Sequence, residues 1–155
     1  MQLTLGSESP RVAIVGSRDY PFLDMVDEVL VMTGLVRVVS GGARGVDRRA
    51  EDAARRLGYP EPLVFKPKWK RPGGKTNMNA GKERNTVIIN NADYVIAFWN
   101  GRSRGTLDSI TKARRKGLPL ILFIADGTSI NVELENFPGE HEWKSKIEQR
   151  TTWRS

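Results

Sequence analysis

Two stretches bring glycine, hydroxyl and arginine together at spacings that suit an anion. They are Ser40-Gly41-Gly42-Ala43-Arg44-Gly45, with Asp47 just beyond, and Gly101-Arg102-Ser103-Arg104-Gly105-Thr106. Each follows an apolar run and precedes a helical pattern. The first amides of a helix have no carbonyl partner, and its dipole favours negative charge there. Thr106 can cap its helix or touch a phosphate. Arg102 and Arg104 repel each other unless an anion lies nearby. Neither stretch is a dinucleotide fingerprint, and no Gly-Lys-Ser/Thr follows to make a P-loop. Glycines that merely permit a tight turn remain the alternative reading.

Other residues converge on the same chemistry. Gly81-Lys82-Glu83-Arg84-Asn85 opens a helix, where Arg84 works against the dipole. Neighbours in sequence do not face each other on a helix, so Glu83 does not explain it; reaching across to a phosphate would. Asp19 and Asp47 could accept ribose hydroxyls, although dipole complementarity explains Asp47 equally well. From Lys66 to Asn79 the chain has no periodicity and carries Lys66, Lys68, Lys70, Arg71 and Lys75, with Lys82 just beyond. Trp69 and Trp99 flank basic segments, where aromatic faces suit base stacking. Core packing is the stronger reading of Trp99.

The chain has one histidine, no cysteine and a net charge of +7 over 155 residues. That composition excludes disulfides and thiolate metal sites, makes a histidine triad or a metal centre improbable, and favours an anionic partner. Surplus lysine and arginine serving solubility alone is the bland alternative. No apolar run is long enough to span a membrane, and Met1 to Pro10 lacks a signal-like apolar centre. A cytoplasmic protein is expected.

The elements that must position these residues alternate. Arg11 to Ser17, Leu35 to Val39, Leu63 to Phe65, Tyr94 to Phe98 and Pro119 to Ile124 read as strands. Phe22 to Met32, Val46 to Leu57, Ala80 to Asn91 and Thr106 to Lys116 read as helices, with Val87 and Ile88 inward in the third and Leu107, Ile110, Ala113 and Arg114 forming a stripe in the fourth. This pattern predicts an α/β fold, a three-layer Rossmann-like open sheet of about five mainly parallel strands with helices on both faces. Ligands of such sheets bind beyond the carboxyl ends of the strands, where strand order reverses. Residues 16–20, 40–47 and 99–106 should meet there. Residues 1–10 are expected to be a flexible terminus and 11–125 the ligand-binding domain. After Asp126 the pattern weakens, and 126–155 read as an extension in which Trp143, Ile147 and Arg150 share one face of a short helix.

Taken in order, GSR after the first strand, SGGARGVD after the second, GKERN opening a helix and AFWNGRSRGT after the fourth strand resemble the SLOG superfamily. This Rossmann-like group contains DprA and the LOG enzymes, and the likeness is greatest to its small YspA/YpsA-related branch, found in bacteria and phages. The resemblance covers roughly residues 11–125. It implies a nucleotide or ADP-ribose-type ligand with no obligatory cofactor, a bacterial or phage-infected cytoplasm, and a homodimer. It implies ligand contacts at Gly16, Ser17, Arg18, Ser40, Gly41, Gly42, Ala43, Gly45, Asp47, Arg84, Asn85, Gly101, Arg102, Gly105 and Thr106. LOG enzymes cleave nucleoside monophosphates with an arginine, matched by Arg84, and a glutamate. That glutamate's position holds Ser109, and Asp108, the nearest acid, is turned about 100° away around the helix. The sequence therefore points to a binding or sensing protein. A nucleotide N-glycosidase using Arg84 and Asp108 is one alternative. A DprA-like binder of single-stranded nucleic acid, using Lys66 to Arg84 as its track, is another.

Overall fold

The computed structural model describes residues 9–148. Its single sheet has the order β3-β2-β1-β4-β5-β6. The strands are β1 (Arg11–Gly16), β2 (Arg37–Ser40), β3 (Leu63–Val64), β4 (Tyr94–Trp99), β5 (Leu120–Ala125) and β6 (Ile130–Glu135). All pairs are parallel except β5 with β6. The helices are α1 (Asp24–Thr33), α2 (Val46–Arg56), α3 (Ala80–Asn90), α4 (Arg104–Lys116) and α5 (Glu140–Glu148). This is the Rossmann-like α/β architecture that the alternating pattern predicts.

Alternation along β1 divides the core. Val12 and Ile14 face α1 and α2, while Ala13 and Val15 face α3 and α4. A right-handed crossover rule puts α1 and α2 on one face as the chain steps from β1 to β3, and α3 and α4 on the other once it returns to β4. Each large apolar side chain buried this way contributes roughly 1.5–3 kcal/mol. Strand order therefore reverses between β1 and β4, and the turns that follow these strands lie side by side.

The inward faces differ from expectation at three places. Ile88 and Ile89 are the buried pair of α3, while Val87 is exposed. In α4 the buried residues are Thr106, Ser109, Ile110 and Ala113. Leu107 lies outside this face, and Arg114 extends to Glu135 of β6 at 2.7 Å. The stripe is rotated because the helix must also close over the turn after β4.

The sixth strand has no counterpart among the five read from the sequence. Asp126 accepts backbone bonds from Thr128 and Ser129 at 2.9 and 3.0 Å, and this turn sends the chain back along β5. Ile130, Val132 and Leu134 then pack on the core of the α1 and α2 face. Trp143 packs there as well, and Ile147 is buried within it. Arg150, and all but the last two residues of the terminus expected over 1–10, lie outside the described residues.

Candidate functional site

The turns after β1 and β4 are tied together before any ligand enters. The Ser17 amide donates to Phe98 O at 3.0 Å, and its buried hydroxyl accepts from Asn100 N at 3.1 Å. Between the turns lies a hollow of about 520 Å³, a size typical of small-molecule sites. Gly16, Ser17, Arg18 and Asp19 form one side, and Asn100, Arg102, Ser103, Gly105 and Thr106 the other. Val15 and Ile88 give it an apolar floor; Ala43, Asp47, Arg84, Asn85 and Ser109 complete the lining. It sits at the reversal of strand order, where open parallel sheets bind ligands.

Arg84 enters this space from α3, one residue past the first turn. Its Nη1 donates to Gly41 O at 2.8 Å and its Nε to Asn85 Oδ1 at 3.1 Å. Asn85 is itself fixed, donating to Gly105 O at 3.3 Å and to Asp108 Oδ2 at 3.0 Å. The guanidinium is thus clamped with Nη2 free of any protein acceptor among the described residues. Burial lowers its pKa, Asp47 opposes that, and Arg18 adds to it. A partly buried cation without an ion pair is costly to leave unmatched, and an incoming anion would relieve that cost.

The turn after β2 is built differently from the sequence expectation of open amides. Asp47 Oδ2 accepts from Ala43 N at 3.2 Å. Asp47 is almost fully enclosed, and burial pushes its carboxyl up to about 6, against the pull of the Ala43 amide and of Arg84. Ser40 is fully buried and hydrogen-bonds Glu51 of α2, away from the hollow. Gly45 does not line it either; its φ is +82° and an added Cβ would lie 2.5 Å from Arg18 O. In the turn after β4, Asn100 Oδ1 accepts from the amides of Arg102 and Ser103, both at 2.9 Å. The Ser103 hydroxyl caps α4 by accepting from Thr106 N at 3.3 Å. Gly101 turns the chain here without lining the hollow.

A second hollow, about 490 Å³, lies across Arg84 and Asn85 from the first. Gly41 and Gly42 open onto this one, as do Lys66, Trp69, Lys82, Arg104 and Asp108. Asp108 is engaged by Lys112 at 2.7 Å, so the two acids of the sequence reading part company: Ser109 faces the first hollow and Asp108 the second. Of the basic track, Lys66 and Lys82 line the second hollow. Lys68, Lys70, Arg71 and Lys75 line neither, and Arg71 donates instead to Asn77 Oδ1 at 2.8 Å. Trp99 packs on the core and donates to Ser103 O at 3.0 Å.

None of Asn100, Ser103, Ser109 and Ile88 is among the ligand contacts expected from the sequence. Asn100 and Ser103 had a signal: an Asn three residues before a Ser that precedes a helix is turn-and-cap chemistry. Ser109 follows from the rotation of α4 and has no local signal. Among the described residues, no cluster of side chains could hold a metal ion, and no helix is long and apolar enough to cross a membrane.

The Gene 61 protein of Mycobacterium phage D29 is 36% identical over 124 residues, covering 73% of this chain and 95% of that protein. The chain belongs to the family of that phage protein. No family model matches the sequence. Among solved structures, DNA processing protein A (DprA) from Streptococcus pneumoniae superposes with a TM-score of 0.62 at 24% identity. The match covers 76% of this chain and 51% of that one, so the chain spans about half the length of the pneumococcal protein. DprA from Helicobacter pylori, described with a single-stranded DNA binding mode, gives 0.58 at 21% identity over 89% of this chain and 74% of that one. A molybdenum cofactor binding protein from Rippkaea orientalis gives 0.55 at 21% over 77% and 78%. At these identities the likeness shows the fold alone, which is DprA-like.

Proposed function

We propose that this protein binds a nucleotide or nucleotide-derived ligand in the hollow between the turns after β1 and β4, as a binding or sensing protein of the small YspA/YpsA-related branch. The observation that carries the reading is Arg84: a partly buried guanidinium, clamped by Gly41 and Asn85, with an unfilled donor beside the first turn of α4. The phosphate sits against Arg84 and the amide of Gly105, which by position has no carbonyl to bond within the helix. Asp19 and Asp47 stand where sugar hydroxyls need acceptors. Hydrolysis in the manner of LOG enzymes gains no support from Ser109, which occupies the place of their glutamate.

A ligand that binds only the folded state must raise its melting temperature. Adenosine monophosphate, NAD and ADP-ribose at millimolar concentration are the first probes, with at least one expected to raise the midpoint by several degrees. Arg84→Ala then weakens binding at least about tenfold, the loss of a charge-assisted hydrogen bond being worth roughly 1.5–3 kcal/mol. A midpoint indifferent to all three probes overturns the reading.

A second reading, binding of single-stranded nucleic acid, is favoured by one observation: Lys66, Lys82 and Arg104 surround the second hollow without ion-pair partners among the described residues. It requires affinity for oligothymidylate that falls steeply with salt. Binding that is absent, or indifferent to salt, removes it.

A further inference from the structure

The two hollows are not independent. Arg18, Ala43, Arg84, Asn85 and Gly105 line both, so the clamped guanidinium is a partition with a face on each side. The chambers differ in character. The first has an apolar floor and two acids, Asp19 and Asp47, set against its arginines. The second holds Lys66, Lys82 and Arg104 in addition to Arg18 and Arg84, while its one acid, Asp108, is already held by Lys112 and Asn85. Its wall also carries Pro67, Trp69 and Met78, and the last two are 52% and 85% exposed. An aromatic and a thioether beside unpaired cations make a surface for a flat, apolar ring attached to phosphate.

That surface is fixed in place. Lys70 and Thr76 form a bridge, and the Arg71 amide donates to Lys75 O at 2.8 Å. Asn77, which is buried, bonds Trp69 O through its amide and Glu83 of α3 through its side chain, at 2.6 and 2.9 Å. The segment from Lys66 to Asn79 is therefore a small hairpin pinned to the helix that delivers Arg84. The placement of Trp69 relative to the partition is built in, which reduces the ordering cost of binding.

We propose that the two chambers take the two halves of one ligand: a pair of nucleosides joined through phosphate, the bridge on Arg84 and Arg18, the second base on Trp69. This rests on the nucleotide reading above and names its ligand class. The bridge is either a pyrophosphate or a phosphodiester. Titration calorimetry with adenosine monophosphate, NAD, the dinucleotide pApA and a long oligothymidylate separates the possibilities. At least one of the two-base ligands binds about tenfold or more tightly than the monophosphate, the scale of one base-stacking contact. Whichever one does identifies the bridge.

Trp69→Ala abolishes that gain and leaves monophosphate affinity unchanged. Arg104→Ala, an exposed site, reduces the gain in the same direction without touching the hairpin. If the monophosphate binds as tightly as both dinucleotides, or if Trp69→Ala weakens all ligands equally, the two-chamber inference falls and the nucleotide reading stands. If no ligand binds, both fall. If the oligothymidylate exceeds both dinucleotides by tenfold, the occupant is a strand rather than a two-nucleoside ligand, and the inference is overturned.

Discussion

The glycine turns after β2 and β4 look alike in sequence and do opposite work. After β2 the glycines are there for the protein. An added Cβ on Gly41 would strike the Arg84 guanidinium, and one on Gly45 would strike Arg18 O. The carboxylate of Asp47 closes the same turn from within. After β4 the space stands open: nothing lies within 4 Å of an added Cβ on Gly101 or Gly105. Small residues leave room for something in both turns. In the first it is a neighbouring segment of the same chain, and in the second it is solvent or a ligand.

The largest effect that would test this contrast is on stability at Gly45. A side chain there meets a φ of +82° and backbone atoms of Arg18 that cannot rotate away. Backbone strain and overpacking each cost about 1–3 kcal/mol, so Gly45→Ala should lose about 3 kcal/mol in urea unfolding. A variant as stable as the parent would mean the turn after β2 is as open as the other.

The closed turn also predicts a pH dependence. An aspartate in an unfolded chain ionises near 3.9, whereas burial holds Asp47 at about 6 when folded. Between those values the folded state binds the extra proton. Stability from this group therefore falls as pH rises from about 4 through 6 and is level above that. Asp47→Asn has no such proton, so its stability relative to the parent should improve by roughly 2 kcal/mol between pH 4 and pH 7. Other carboxylates are common to both chains and cancel. A constant difference across the range would show the carboxyl to be solvated and the turn unsealed.

Much of the fold was legible because periodicity reports burial directly. Alternating strands and helices gave the layers, and the turns after β1, β2 and β4 do gather on one sheet edge. What periodicity cannot report is which side of a wall a residue takes. Gly41 and Gly42 fell in one chamber and Thr106 in the other because Arg84, 43 residues beyond Gly41 in sequence, lies between them. The missed β6 was readable: Ile130, Val132 and Leu134 alternate with Asn131, Glu133 and Glu135, and Asp126-Gly127 is a hairpin signal. The basic segment was harder. Its anchor is Asn77, a single buried amide, and nothing in a lysine-rich sequence distinguishes a pinned hairpin from a solvated loop.

The smallest effect is the sharpest test of the open turn. Gly105 is the second residue of α4, its φ is not positive, and no atom crowds its Cβ position. Alanine suits a helix better than glycine, so Gly105→Ala should leave the protein unchanged or up to about 0.5 kcal/mol more stable. The new methyl would nevertheless stand in the lining of both chambers. Nucleotide affinity should fall while the melting temperature holds or rises, the reverse of what a packing glycine would give. A variant that gains stability and still binds as the parent does would show that this turn, open as it is, is not where the ligand sits.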